Sequence, residues 1–192
     1  MRIGIDCRFF STEYSGIGRY VEELVRALER LDTENEYILF MKSKAYETYR
    51  PSRANFRAVR TDIPHYSLRE QVELPIAIAS EKLDLMHYTH FNAPIFPGRT
   101  PVVVTIHDLT LSFYPGQNKT SAFHAWAYRL TISSITRRAK QIIAITGHTR
   151  KDLNEILNVD LEKISVVYNG VDVAPFRREV SEDLWTRYVA EK

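Results

Sequence analysis

An imidazole and a carboxylate stand side by side at His107 and Asp108, directly after the apolar run PVVVTI at 101–106. At the mouth of a buried strand such a pair can move protons or hydrogen-bond sugar hydroxyls, so both are candidate catalytic residues. Equally, nearby backbone can hold His107, and Asp108 can cap a turn. A second candidate is SGIG at 15–18, between an apolar opening stretch and a helical pattern. Gly16 and Gly18, with Ile17 between them, allow tight turning and close backbone approach; a helix starting there offers unpaired N–H groups to an anion. A plain loop carrying two glycines is the alternative. His87 and His90 stand three apart at the end of the run 83–87. Strand alternation puts them on opposite sides, which suits a shared metal poorly, and no metal site is expected. His87 reads as a packed core residue, and His90 as a residue at the rim of a cleft.

Other motifs are missing. Val21 stands where a dinucleotide fingerprint needs its third glycine, and the segment Phe40-Met41-Lys42 offers no carboxylate to a ribose. G-K-[ST], G-x-S-x-G, C-x-x-C and H-E-x-x-H do not occur, so P-loop, serine-hydrolase and metalloenzyme readings gain no support.

The elements that must position these residues alternate along the chain. RIGID at 2–6 and EYILFM at 36–41 predict strands, and 55–60 predicts a weaker one. The runs 83–87, 101–107, 141–146 and 164–168 are short and mainly apolar, as in parallel strands covered on both faces. From Arg19, the residues Tyr20, Leu24, Ala27, Leu28 and Leu31 recur at helical spacing. So do Leu68, Val72, Ile76, Ala79 and Leu83, with Pro75 expected to kink or divide that helix. Further helices are predicted over 121–139, with Phe123, Trp126, Ala127 and Leu130 toward the sheet, and over 149–157. The alternation predicts an α/β fold, a Rossmann-like, doubly wound parallel sheet. Ligands then bind beyond the carboxyl ends of the strands, where 15–18, His90, His107 and Asp108 all fall. After Tyr168 the alternation stops. Asn169-Gly170 signals a turn, and Ser181 can cap a last helix through Trp185, Tyr188 and Val189. The domain is therefore expected to span 1–170, with 171–192 as a linker and short helix that stops short of any further domain.

Composition narrows the function classes. The 192 residues carry 26 Lys and Arg against 24 Asp and Glu, with a single Cys. A lone Cys7 fits a reducing compartment, and Arg2, Asp6 and Arg8 interrupt any signal-peptide pattern, so a cytoplasmic location is expected. The longest stretch without a charge, 85–98, is 14 residues, short of the ~20 a spanning helix needs. A pI near 8.6 with no nucleic-acid-binding signature predicts no nucleic-acid partner. Residues 109–151 hold seven basic and no acidic side chains. That bias is either an ordinary solvated face or the mark of an anionic neighbour, such as a lipid headgroup surface.

The ordered set MRIGIDCR, SGIGRYVEELVRAL, YSLREQVELP, DLMHYTHFNAP, VVVTIHDL, RRAKQIIAIT with TRKDL, and KISVVYNGVD covers nearly the whole chain. It resembles the N-terminal half of a retaining GT-B glycosyltransferase of family 4, most nearly the bacterial mannosyltransferases that build surface polysaccharides. The resemblance implies an acceptor-side domain that works with a C-terminal donor-binding domain and needs no cofactor. The donor would be an NDP-sugar, GDP-mannose by expectation, and the acceptor a cell-surface glycan or lipid-linked sugar. It sets Gly16 and Gly18, with Ile17, near the donor phosphates and His107 near the transferred sugar. His90 and Thr146 are further expected substrate contacts, although Gly147 stands where the family more often has a Ser–Glu pair. A peripheral contact between 109–151 and an anionic membrane is a further expectation. The alternative is a non-catalytic subunit that binds a sugar or lipid acceptor and partners a separate catalytic chain.

Overall fold

The computed structural model describes residues 1–10, 15–113 and 122–170. Among the described residues seven strands form one wholly parallel sheet: β1 (Arg2–Asp6), β2 (Glu36–Met41), β3 (Phe56–Arg60), β4 (Leu85–Tyr88), β5 (Val102–Ile106), β6 (Gln141–Ala144) and β7 (Ile164–Val166). Their order is β3-β2-β1-β4-β5-β6-β7. The chain builds outward from β1 to β3, returns to β4 beside β1, and builds outward again. The order therefore reverses between β1 and β4, the place where such sheets open a crevice at their carboxyl edge.

The helices are α1 (Ser15–Leu31), α2 (Ser43–Thr48), α3 (Leu68–Ser80), α4 (Thr110–Phe113), α5 (Ala122–Arg138) and α6 (Gly147–Leu157). Val21 and Val25 of α1 and Ala45 of α2 share one apolar cluster with Ile5, Cys7, Leu39 and Met41. Leu74 and Ile78 of α3, Ile132 and Ile135 of α5, and Leu153 of α6 share another with Phe40, Met86, Val104 and Ile142. Alternate strand residues thus feed two cores, one on each face of the sheet. This is the doubly wound architecture that the strand–helix alternation predicts.

Several local expectations need correction. Helix α1 starts at Ser15, so both glycines lie inside its first turn and not ahead of it. Val21 and Val25 are its buried apolar side chains, while Leu31 is 82% exposed. Helix α3 runs unbroken through Pro75, which lacks the N–H that would bond to the Gln71 carbonyl but does not end the helix here. It buries Glu70, Leu74 and Ile78, whereas Leu68, Val72 and Ile76 of the predicted stripe face solvent. The inward pull on Glu70 has a specific cause, described below. In α5, Trp126 is exposed, and Ile132, Ile135, Thr136 and Ala139, at or just beyond its C-terminal half, are buried instead. The side chain of Phe123, and all of 171–192 with Ser181, Trp185, Tyr188 and Val189, lie outside the described residues. The short helices α2 and α4 and the 3-10 turn Leu161–Lys163 lack a periodic signal long enough to read.

Candidate functional site

His107 stands one residue beyond β5, where its Nε2 lies 3.0 Å from the carbonyl oxygen of Thr89. A carbonyl only accepts, so Nε2 carries the proton and a neutral ring is left with a bare Nδ1. Burial lowers the pKa of His107, and the Thr89 carbonyl and Asp108 oppose that only in part. The ring is therefore neutral at pH 7 and can accept a hydrogen bond from a hydroxyl. Asp108 is exposed, and its Oδ1 accepts from the backbone N–H of Thr110 at 2.9 Å, at the start of α4. Both local ties that the sequence left open, His107 to backbone and Asp108 to a turn, are present.

Tyr20, one turn past Gly16 in α1, brings the glycine segment to the same edge. Its ring meets that of His107 edge to face, 4.9 Å between centroids at 88°. Its hydroxyl lies 3.0 Å from Thr105 Oγ1. Gly16 is exposed, and a Cβ there would meet nothing within 4 Å, so no described neighbour demands glycine. Gly18 is buried, and Ile17 packs on the α1-side core.

The other expected contacts sit deeper. His90 is only 8% exposed and does not stand at the rim. Its ring lies 4.2 Å from Phe91, 5.2 Å from Phe9 and 6.2 Å from His107, and its Nδ1 accepts from the Asn92 N–H. The aromatic neighbours draw it inward, and burial pushes its pKa down to about 4. His87 is buried, with Nε2 2.9 Å from Thr105 Oγ1. Thr146 caps α6: its Oγ1 accepts from the Thr149 N–H at 3.0 Å. Thr149 in turn donates its hydroxyl to the His107 carbonyl at 3.1 Å. Thr146 thus braces the His107 backbone through Thr149.

Sequence reasoning missed a buried ionic group under this edge. Arg8 Nε and Nη2 bond to Asp6 Oδ1 and Oδ2 at 2.8 and 2.7 Å, and Nη2 also reaches Glu70 Oε1 at 2.7 Å. Glu70 further accepts from Asn92 Nδ2 and from the Tyr66 N–H, each at 2.8 Å. Thr89 donates its hydroxyl to the Asp6 carbonyl at 2.7 Å. Burial disfavours the guanidinium, yet the two carboxylates outweigh it and raise the Arg8 pKa. For Asp6, Arg8 outweighs burial and lowers the pKa; for Glu70, burial prevails and raises it. This group ties the end of β1, the start of α3 and the loop after β4 together. The spacing Ser67-x-x-Glu70 is a capping-box signature and marks the helix start, and Ser67 Oγ does accept from the Glu70 N–H. Nothing in that spacing shows that the Glu70 side chain turns inward to Arg8.

Two surface hollows lie elsewhere, beside α2. One of about 370 Å³ sits between α1 and α2, lined by Phe10, Glu22, Arg26, Glu29, Thr48, Tyr49 and Arg50, and it includes none of these groups.

Residues 14–175 match the family model described as Glycosyltransferase Family 4. Over 88 residues the chain is 28% identical to the O-antigen chain mannosyltransferase RfbU of Salmonella typhimurium strain LT2, covering 46% of this chain and 23% of that protein. Anabaena Alr3699/HepE, solved in complex with UDP and glucose, superposes with a TM-score of 0.59 at 17% identity, covering 99% of this chain and 50% of that one. A sucrose-phosphate synthase structure from Thermosynechococcus elongatus superposes with a TM-score of 0.58 at 12% identity, covering 98% of this chain and 99% of that one. At such identities the two structures establish the fold alone. The chain spans about a quarter of the length of RfbU and half of the HepE chain.

Proposed function

Because the chain belongs to glycosyltransferase family 4, we propose that it forms the acceptor-side half of a retaining glycosyltransferase. In this reading the enzyme moves a sugar, mannose in the first instance, from an NDP-sugar such as GDP-mannose to a cell-surface glycan or lipid-linked acceptor. The donor nucleotide is held by a second domain outside these 192 residues. The observation that carries the reading is the contact between Tyr20 and His107, which joins the second turn of α1, just past the glycines, to the mouth of β5 at the carboxyl edge.

Each group then has a task. The N–H groups at the start of α1, around Gly16 and Gly18, stabilise the charge that develops on the departing diphosphate. Neutral His107 accepts a hydroxyl of the transferred sugar at its bare Nδ1 and so orients the ring. Asp108 and Thr146 act through the backbone they brace, and His90 supports His107 from below. No carboxylate is assigned as a nucleophile.

In the enzyme completed by its donor-binding domain, His107→Ala should lower turnover roughly tenfold to a hundredfold, the worth of one lost buried hydrogen bond, with the fold intact but the melting temperature lowered, because the Thr89 carbonyl loses its partner. The isolated chain should bind acceptor weakly and transfer nothing, because domain closure supplies the proximity a two-substrate reaction needs. Robust transfer by the isolated chain contradicts the reading.

The proposed site of action is the cytoplasmic face of a membrane. Arg137, Arg138 and Lys140 are exposed within the acid-free segment 109–151, and each basic group near anionic headgroups contributes about 1 kcal/mol. Cosedimentation with anionic vesicles should weaken as salt rises; equal binding to neutral vesicles contradicts it.

A further inference from the structure

We propose that Tyr20 is the positioning residue for His107, anchored by the buried Thr105–His87 pair behind it. The inference rests on the reading of His107 as the sugar-contacting group. Along β5, Val104 and Ile106 face the α3-side core, so Thr105 and His107 share the opposite face, toward α1. Tyr20 descends from α1 onto both: its hydroxyl meets Thr105 and its ring meets His107.

Thr105 is completely buried, and its single hydroxyl stands between Tyr20 Oη at 3.0 Å and His87 Nε2 at 2.9 Å. One proton and two lone pairs let it donate to one neighbour and accept from the other. The phenol cannot swing away without leaving a buried hydroxyl short of a partner. Held in this way, the ring walls one side of the His107 imidazole. The Thr89 carbonyl holds Nε2–H on another side, and Thr149 holds the backbone of the same residue. Together they restrict the imidazole to one orientation and one tautomer, with Nδ1 bare.

The test needs no sugar. In the 192-residue chain with ¹⁵N-labelled histidine, the couplings of the His107 ring report its tautomer directly. The wild-type chain should show the Nε2–H form alone. Tyr20→Leu, which removes wall and anchor, should yield a mixture of Nε2–H and Nδ1–H forms. Tyr20→Phe, which keeps the ring, should give a smaller admixture; Thr105→Val should match it, and Thr105→Ser should restore the single form. An unchanged tautomer in Tyr20→Leu overturns the positioning role. Wild-type behaviour in both Tyr20→Phe and Thr105→Val overturns the hydrogen-bonded anchor. Failure of His107 to respond to added sugar would count against the transferase reading and would leave these tautomer outcomes intact.

Discussion

Four of the described imidazoles are buried or half-buried at or beneath the carboxyl edge, and burial lowers the pKa of each: to about 4 for His65, His87 and His90, and below its ordinary value for His107. Unfolded histidines titrate near 6.5, so between pH ~6.5 and ~4 the unfolded chain binds more protons than the folded one. Stability is then full above pH ~6.5 and falls as the pH drops toward 4, by about 1.4 kcal/mol per pH unit for each proton taken up. Urea midpoints should decline steadily from pH 7 to 5, and His87→Gln should reduce that slope; a flat midpoint would show these rings already solvated. At this scale the His107–Asp108 pair was legible, because two polar side chains end an otherwise apolar strand. The partnership of Arg8 with Glu70 was not. It joins residues distant in sequence, and only the placement of α3 over β1 and β4 brings them together.

Helix α3 shows why a periodic pattern can mislead. Leu68, Val72, Ile76 and Ala79 recur at helical spacing, but so do Glu70, Leu74 and Ile78, and the structure buries the second set. An apolar count favours the first stripe, whereas the ion pair with Arg8 turns Glu70, and with it the other stripe, toward the sheet. Leu74→Ala should therefore cost about 2–5 kcal/mol of unfolding free energy. Val72→Gln and Ile76→Gln should each change it by less than about 0.5 kcal/mol. Comparable losses from all three in chemical denaturation would place the outer stripe in a core. In helix α1 the periodic stripe does carry Tyr20 inward, against the α1-side core. Its start at Ser15 is hidden in the sequence because Gly16 and Gly18 discourage helix in isolation, while the α1-side core holds Ile17, Tyr20, Val21 and Val25 in place.

Across the whole molecule, the strand–helix alternation made a parallel sheet legible, because short apolar runs separated by helical segments must cross over in one direction. The strand order was not legible: adjacency of β1 to β4 follows from where α3 crosses, and apolar runs carry no such address. That adjacency creates the crevice onto which Tyr20 and His107 converge. The central claim is that sugar chemistry happens there, between the first turn of α1 and the end of β5. The most direct measurement is an amide and imidazole chemical-shift titration of the 192-residue chain with GDP-mannose and, separately, a mannose-terminated acceptor. The account predicts weak, saturable acceptor binding beside His107, and with GDP-mannose, whose nucleotide the second domain holds, only faint shifts, concentrated at Gly16, Gly18 and His107. Shifts confined to the hollow around Glu29 and Tyr49, with His107 unmoved, would contradict it.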